Sequence, residues 1–167
     1  MKEKKIMRIL MFFVKLALVI SWMMIIFYFS SEVGYDSKDT STGTIKYILN
    51  IIFGGSNEEL IITIEPIIRK LAHFSLYALG GIIIFEFVNS IYKHINDDKN
   101  MLKVSLITLA IGIIYAISDE IHQSFVPDRG PKITDVLIDV SGIIFGIILV
   151  IILRKSFKYI NRNIRKE

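Results

Sequence analysis

Ile133-Thr134-Asp135-Val136-Leu137-Ile138-Asp139-Val140-Ser141-Gly142-Ile143-Ile144-Phe145-Gly146-Ile147-Ile148-Leu149-Val150-Ile151-Ile152-Leu153 is the stretch on which the fold turns, because its only charges are Asp135 and Asp139. A helix rising about 1.5 Å per residue needs about 20 apolar residues to cross about 30 Å of hydrocarbon. This stretch is long enough, and so are Ile9 to Phe29, Pro66 to Val88 and, as the shortest, Leu102 to Ser118. At 53% apolar side chains and a mean hydropathy of +0.55, the 167-residue chain is too apolar for an ordinary soluble domain and is sized for one small bundle. The expected fold is all-α, a four-helix transmembrane bundle in a single domain over 1–167. Its core is about 9–153, with basic tails at 1–8 and 154–167.

Lys2, Lys4, Lys5 and Arg8 precede the first span as they would in a signal peptide, but the apolar run is too long and no small-x-small cleavage site follows. It reads as a retained anchor. With both termini cytoplasmic, the inner segments hold 14 Lys and Arg against 5 Asp and Glu, and the outer segments hold 6 against 11. The positive-inside rule favours that arrangement. The expected location is therefore a bacterial cell membrane, crossed several times. Lys15 and Glu86, at inner helix ends, are assigned to snorkelling. The basic tails and a pI near 9.2 are explained by anionic membrane lipids, with no nucleic acid needed as a partner.

Between the first two spans, Tyr35 to Gly43 is polar and turn-like. Ile45, Ile48, Leu49 and Ile52 then repeat with helical spacing until Gly54-Gly55. A short amphipathic helix lying on the outer surface is expected there. Ser56-Asn57-Glu58-Glu59 fits a capping box for a further helical stretch, and Pro66 either kinks that stretch or opens the second span.

In this topology four polar helix ends meet at one face. Arg69, His73, Tyr77 and Gly80 share one side of the second span. Asp135, Asp139, Gly142 and Gly146 share one side of the fourth, and Gly112, Tyr115, Asp119, His122 and Gln123 align in the third. Each polar stripe continues inward as small residues, and Gly142-x-x-x-Gly146 is a spacing that lets helices approach closely. An outward polar pocket floored by glycine contacts is expected. Its candidate ligand-binding residues are Arg69, Lys70, His73, Tyr77, Asp119, Glu120, His122, Gln123, Arg129, Asp135 and Asp139.

Ionisable groups in a span are costly unless they face a cavity, a partner or water. Bland readings stand beside the sharp ones: Arg69 and Lys70 also suit interface anchors, Asp135 suits a macrodipole partner, and the Asp119 cluster suits a solvated helix end. Arg129 sits in a turn shaped by Pro127 and Pro131, where it is placed to pair with aspartates. Asp119 or Glu120 with His122 is a sensible acid–base pair, so these three are the catalytic candidates. No metal is assigned, since the His-Glu-x-x-His spacing is absent, and no cofactor is indicated. With no cysteine, disulfides, thiolate metal sites and a Cys nucleophile are excluded, and no serine lies in a nucleophile elbow.

Phe29-Ser30-Ser31, Arg69-Lys70-x-x-His73-Phe74-x-x-Tyr77, Ser118-Asp119-Glu120-x-His122-Gln123-x-Phe125-x-Pro127-x-Arg129 and Asp135-x-x-x-Asp139 with Gly142 together resemble the VanZ-like family over nearly the whole chain. Many members resemble this chain except for Asn in place of Asp139. The family takes its name from an accessory protein of glycopeptide-resistance clusters linked to low-level teicoplanin resistance. The resemblance discloses no biochemical activity, and the first expectation, drawn from the outward pocket, is a cell-envelope protein that binds a lipid headgroup, a lipid-linked wall precursor or a lipophilic glycopeptide there. Two alternatives are an enzyme using acid–base chemistry on an outer-leaflet phospholipid or isoprenoid-linked substrate, and a ligand-free polar network that locks the helix ends.

Overall fold

The computed structural model describes the backbone of residues 2–55, 57–95 and 100–164. It consists of five helices: α1 (Lys2–Ser30), α2 (Gly34–Phe53), α3 (Glu58–Ile95), α4 (Met101–Gln123) and α5 (Ile133–Ile164). Four of them, all but α2, are long and apolar enough to cross a membrane. The all-α four-span bundle is therefore the fold, and the helices are longer than their apolar runs. Both basic tails continue the helices they adjoin, at Lys2 to Arg8 and at Arg154 to Ile164. The third span is the shortest, as expected, and α4 carries Asp119 to Gln123 as helix, with Asp119, Glu120 and Gln123 buried against the protein.

The polar stretch Tyr35 to Gly43 is helical, not turn-like, so α2 runs from Gly34 to Phe53. Its hydroxyls turn back on its own carbonyls: Ser41 Oγ donates to Ser37 O (2.7 Å) and Thr44 Oγ1 to Thr40 O (2.9 Å). Such back-bonding satisfies the hydroxyls within the helix, at a slight cost to its stability. Gly54 ends α2 in the left-handed conformation, φ 68°, with its N–H on Asn50 O at 3.0 Å. At the other end, Gly34 N donates to Pro127 O (3.2 Å), and a Cβ there would collide with the Asp128 backbone.

Of the expected capping box, Ser56 lies outside the described residues. Asn57 caps α3, its Oδ1 accepting from Glu59 N (2.9 Å) and Leu60 N (3.4 Å). Pro66 lies inside α3 and does not open it.

α3 is the central helix, in contact with each of the other four, and its largest contact is with α5. Inside a membrane, helices associate through close packing, not through exclusion of water. Glycine makes that packing possible here. A Cβ on Gly142 would meet the Phe74 carbonyl, one on Gly146 the Ala78 carbonyl, and one on Gly81 the Ile143 backbone. On the opposite flank Gly80 lies under the Trp22 indole, whose Nε1 donates to Leu76 O at 2.8 Å and so ties α1 to α3.

The end of the bundle where α3 finishes and α5 continues is closed by an ion-pair network. Lys15 Nζ lies 3.4 Å from Glu86 Oε2 and donates to Glu86 O at 3.0 Å, and Arg154 pairs with the other Glu86 oxygen. Arg154 also lies over the Phe85 ring, 5.2 Å from its centroid. The Asn89 amide oxygen, in the orientation that satisfies both its polar atoms, accepts from both Arg154 Nη atoms. Lys15 and Glu86 are therefore partners joining α1, α3 and α5, not independent snorkelling groups.

Two substitutions separate packing from propensity. Gly146→Leu is expected to destabilise the detergent-solubilised protein by about 2 kcal/mol or more, because backbone cannot move aside as a side chain can. Gly43→Ala, whose Cβ meets nothing, is expected to stabilise α2 by about 0.5 kcal/mol. Thermal melting of both variants checks this.

Candidate functional site

The chain places the ends of α1 and α4 and the starts of α3 and α5 at one end of the bundle, with α2 and the 124–132 loop across them. Between these elements lies a cavity of about 350 Å³. α3 contributes Glu65, Pro66, Arg69, Lys70 and His73 to its wall. α5 contributes Thr134, Asp135, Ile138 and Asp139, and the loop contributes Asp128, Arg129, Gly130 and Lys132. Gly34 and Lys38 come from α2, and Gln123 from α4.

The helical periodicity of α3 explains its share. Glu65, Arg69 and His73 recur every four residues, so one stripe of the helix faces the cavity. Glu65 is 5% exposed and lies 3.5 Å from Arg69 Nη1. Asp139 is 1% exposed and faces His73, Oδ1 to Nδ1 at 3.5 Å. Both contacts are within ion-pair range, but neither has hydrogen-bond geometry, so Glu65 Oε1 and Asp139 Oδ1 are buried without a hydrogen-bond partner. Arg129 Nη2 donates to Phe29 O at 3.3 Å, while its Nε is likewise buried and unpartnered. Burial, and then the charge of Arg69, pull the Arg129 guanidinium below its usual range. Glu32, Asp119 and Glu120 act in the opposite direction.

Of the residues singled out from sequence, Arg69, Lys70, His73, Gln123, Arg129, Asp135 and Asp139 line the cavity. Asp119, Glu120, Tyr77 and His122 do not. Asp119 is buried behind the wall, accepting from Gln123 Nε2 at 3.0 Å, and Gln123 also reaches Ser30 Oγ at 3.4 Å. Glu120 accepts from the Lys132 backbone N–H at 2.5 Å, which anchors the loop to α4. Tyr77 is completely buried beneath the cavity, and its hydroxyl has no hydrogen-bond partner.

His122 points elsewhere. Its Nε2 is 3.1 Å from Ser31 Oγ, and its ring stacks on Phe27 at 4.4 Å between centroids. The structure thus separates Glu120 from His122, as expected for side chains two residues apart on a helix. The histidine that meets a carboxylate at the cavity is His73, with Asp139.

Lys38, Glu65, Asp128, Lys132 and Thr134 are wall residues that the sequence reading did not select. Glu65 had a signal: it stands four residues before Arg69, extending the same stripe, but it fell ahead of the apolar run. Lys38 had none, because its place depends on α2 folding over the bundle. The described residues contain no cluster of three or more His, Cys, Asp or Glu fit for a metal ion.

Fold and cavity define a polytopic α-helical membrane protein with a charged recess at one end of its bundle. The VanZ/LLP1 family model matches residues 13–154, and the chain belongs to that family. No curated protein and no solved structure is matched by the chain.

The placement of His122 has a direct consequence. His122→Phe keeps the ring stack on Phe27 and loses only the contact with Ser31, so it is expected to cost about 1 kcal/mol of stability. Asp139→Ala leaves His73 without its carboxylate and is expected to cost more, about 2 kcal/mol. Thermal melting of the two variants in one detergent gives the comparison.

Proposed function

We propose that the protein binds the headgroup of a membrane lipid or lipid-linked wall precursor in this cavity, with the charged end facing outward from a bacterial cell membrane. One observation carries the reading: five Lys and Arg against four carboxylates line a recess at a helix end, beside a helix that is not among the four long apolar ones. The exposed Tyr47, Ile48, Ile51, Ile52 and Phe53 on α2 suit a helix lying at headgroup depth. A cavity of about 350 Å³ is at the small end of ligand sites, so it suits a headgroup or a short portion of a glycopeptide, not an entire one. Low-level teicoplanin resistance follows on this account from engagement of a wall precursor.

A second reading, an enzyme acting on an outer-leaflet phospholipid or isoprenoid-linked substrate, is favoured by the His73–Asp139 contact. A carboxylate that holds Nδ1 leaves Nε2 to exchange a proton. An altered lipid product in extracts of expressing cells, absent with His73→Ala, marks turnover; unchanged lipid profiles mark binding alone.

Expression in a sensitive Gram-positive host tests the first reading. Wild type is expected to raise the teicoplanin threshold, and Arg69→Ala at matched membrane levels is expected to leave it at baseline. Equal thresholds for the two proteins would remove the cavity from the phenotype. Orientation is tested separately, because the chain has no native cysteine. Lys132→Cys is expected to react with a membrane-impermeant maleimide on intact cells, and Lys155→Cys only after lysis.

A further inference from the structure

We infer that the recess selects a phosphate headgroup carrying two negative charges over one carrying a single charge. This inference rests on the lipid-headgroup reading and specifies its ligand. It starts from the way charge is sorted at this end of the bundle. Residues 31–73 and 119–139 hold six Lys and Arg against eleven Asp and Glu, so the end as a whole is acidic. Five of those six cations line the recess, all but Lys46, whereas only four of the eleven carboxylates do, namely Glu65, Asp128, Asp135 and Asp139. Cations gathered into a cleft against the sign of their surroundings focus a positive potential there, which draws in an anion.

The charges of the wall fall into two sets. Glu65 lies 3.5 Å from Arg69 and Asp139 lies 3.5 Å from His73, so both buried carboxylates already face a partner inside the protein. Lys38, Lys70, Arg129 and Lys132 are within ion-pair range of no carboxylate among the described residues. The three lysines are exposed and Arg129 is half-buried, so a group entering the recess can reach them. The carboxylates left over are Asp128 and Asp135, and Asp135 accepts from Thr134 Oγ1 at 3.2 Å in the first turn of α5. Four cations against two carboxylates thus remain outside the buried pairs. They come from α2, α3 and the 124–132 loop, so the solvated face of a single helix does not account for them.

The chemistry of these groups sets the class of ligand. Lysine and arginine side chains only donate hydrogen bonds, so the group they hold must be rich in acceptors. A phosphate monoester carries about −1.5 to −2 near pH 7 and presents three acceptor oxygens. A phosphodiester carries a single charge and presents fewer. A doubly charged phosphate therefore meets more of the unpaired donors and more of the positive excess. Glycerolipids and isoprenoid lipids both exist in this form.

The test uses the full chain in detergent, with native mass spectrometry of lipid retention at neutral pH. Phosphatidic acid and phosphatidylglycerol of identical acyl chains compare a monoester with a diester. Wild type is expected to retain phosphatidic acid about tenfold more tightly, the worth of one further charge-assisted hydrogen bond. The Lys70→Gln/Lys132→Gln double variant is expected to retain the two lipids alike. Its melting temperature is expected within a few degrees of wild type, because both side chains are exposed and unpaired among the described residues.

Equal retention of the two lipids by wild type, or a preference that survives intact in the double variant, overturns the inference and leaves the lipid-headgroup reading standing. Retention of no lipid overturns both. Competitors distinguish the sources. Displacement of bound phosphatidic acid by farnesyl phosphate at equal concentration assigns the site to isoprenoid phosphates, and its failure to displace assigns the site to glycerolipids; either result supports the class. Displacement by inorganic phosphate at that same concentration makes the ligand a soluble phosphate and overturns the lipid assignment.

Discussion

The close approach of α3 and α5 is the constraint on which the rest of the molecule depends. Gly142 admits the Phe74 carbonyl, and Gly146 admits that of Ala78. Nothing larger than glycine fits where backbone meets side-chain position at this range. Phe74 adjoins His73, and Gly142 lies one helical turn from Asp139, so the contact that seals the bundle also sets His73 against Asp139. Farther along α3 toward its start, the same register turns Arg69 and Glu65 into the cavity. The glycine floor is therefore what holds the charged wall in place.

The two ends of the bundle show different uses of charge. At one end Lys15, Glu86, Asn89 and Arg154 satisfy one another, with the Phe85 ring beneath the guanidinium. That is what a structural lock between spanning helices looks like. At the other end Glu120, Gln123 and Asp119 are similarly engaged with the protein, and they form the support of the site. In front of them, Glu65, Asp139 and Arg129 line the cavity, each with one buried atom that makes no hydrogen bond.

Much of this was legible in the chain. Apolar length placed all four spanning helices, and the i, i+4 spacing of Arg69 with His73, of Asp135 with Asp139 and of Gly142 with Gly146 placed their facing sides. Local signals failed where long-range packing decides. Tyr35 to Gly43 reads as a turn, yet it is helical, and the hydroxyls of Ser41 and Thr42 bond α2's own carbonyls. The Glu120 and His122 pairing looked plausible by sequence distance, yet side chains two apart on a helix diverge, and each met a different neighbour, the Lys132 backbone and Ser31. Lys15 and Glu86 are 71 positions apart, and nothing in either local sequence pairs them. Their network, like the cavity contribution of Lys38, exists only after the helices assemble.

The central claim is that the recess at the charged end holds a lipid headgroup by its cationic wall, and one measurement addresses it directly. Wild type and an Arg69→Ala/Arg129→Ala double variant, purified gently from the same host membrane, are compared by native mass spectrometry for co-purified lipid. One lipid molecule retained per wild-type chain, and lost from a double variant whose melting temperature is within a few degrees of wild type, is the result this account requires. Equal retention by both proteins, or none by either, would contradict it.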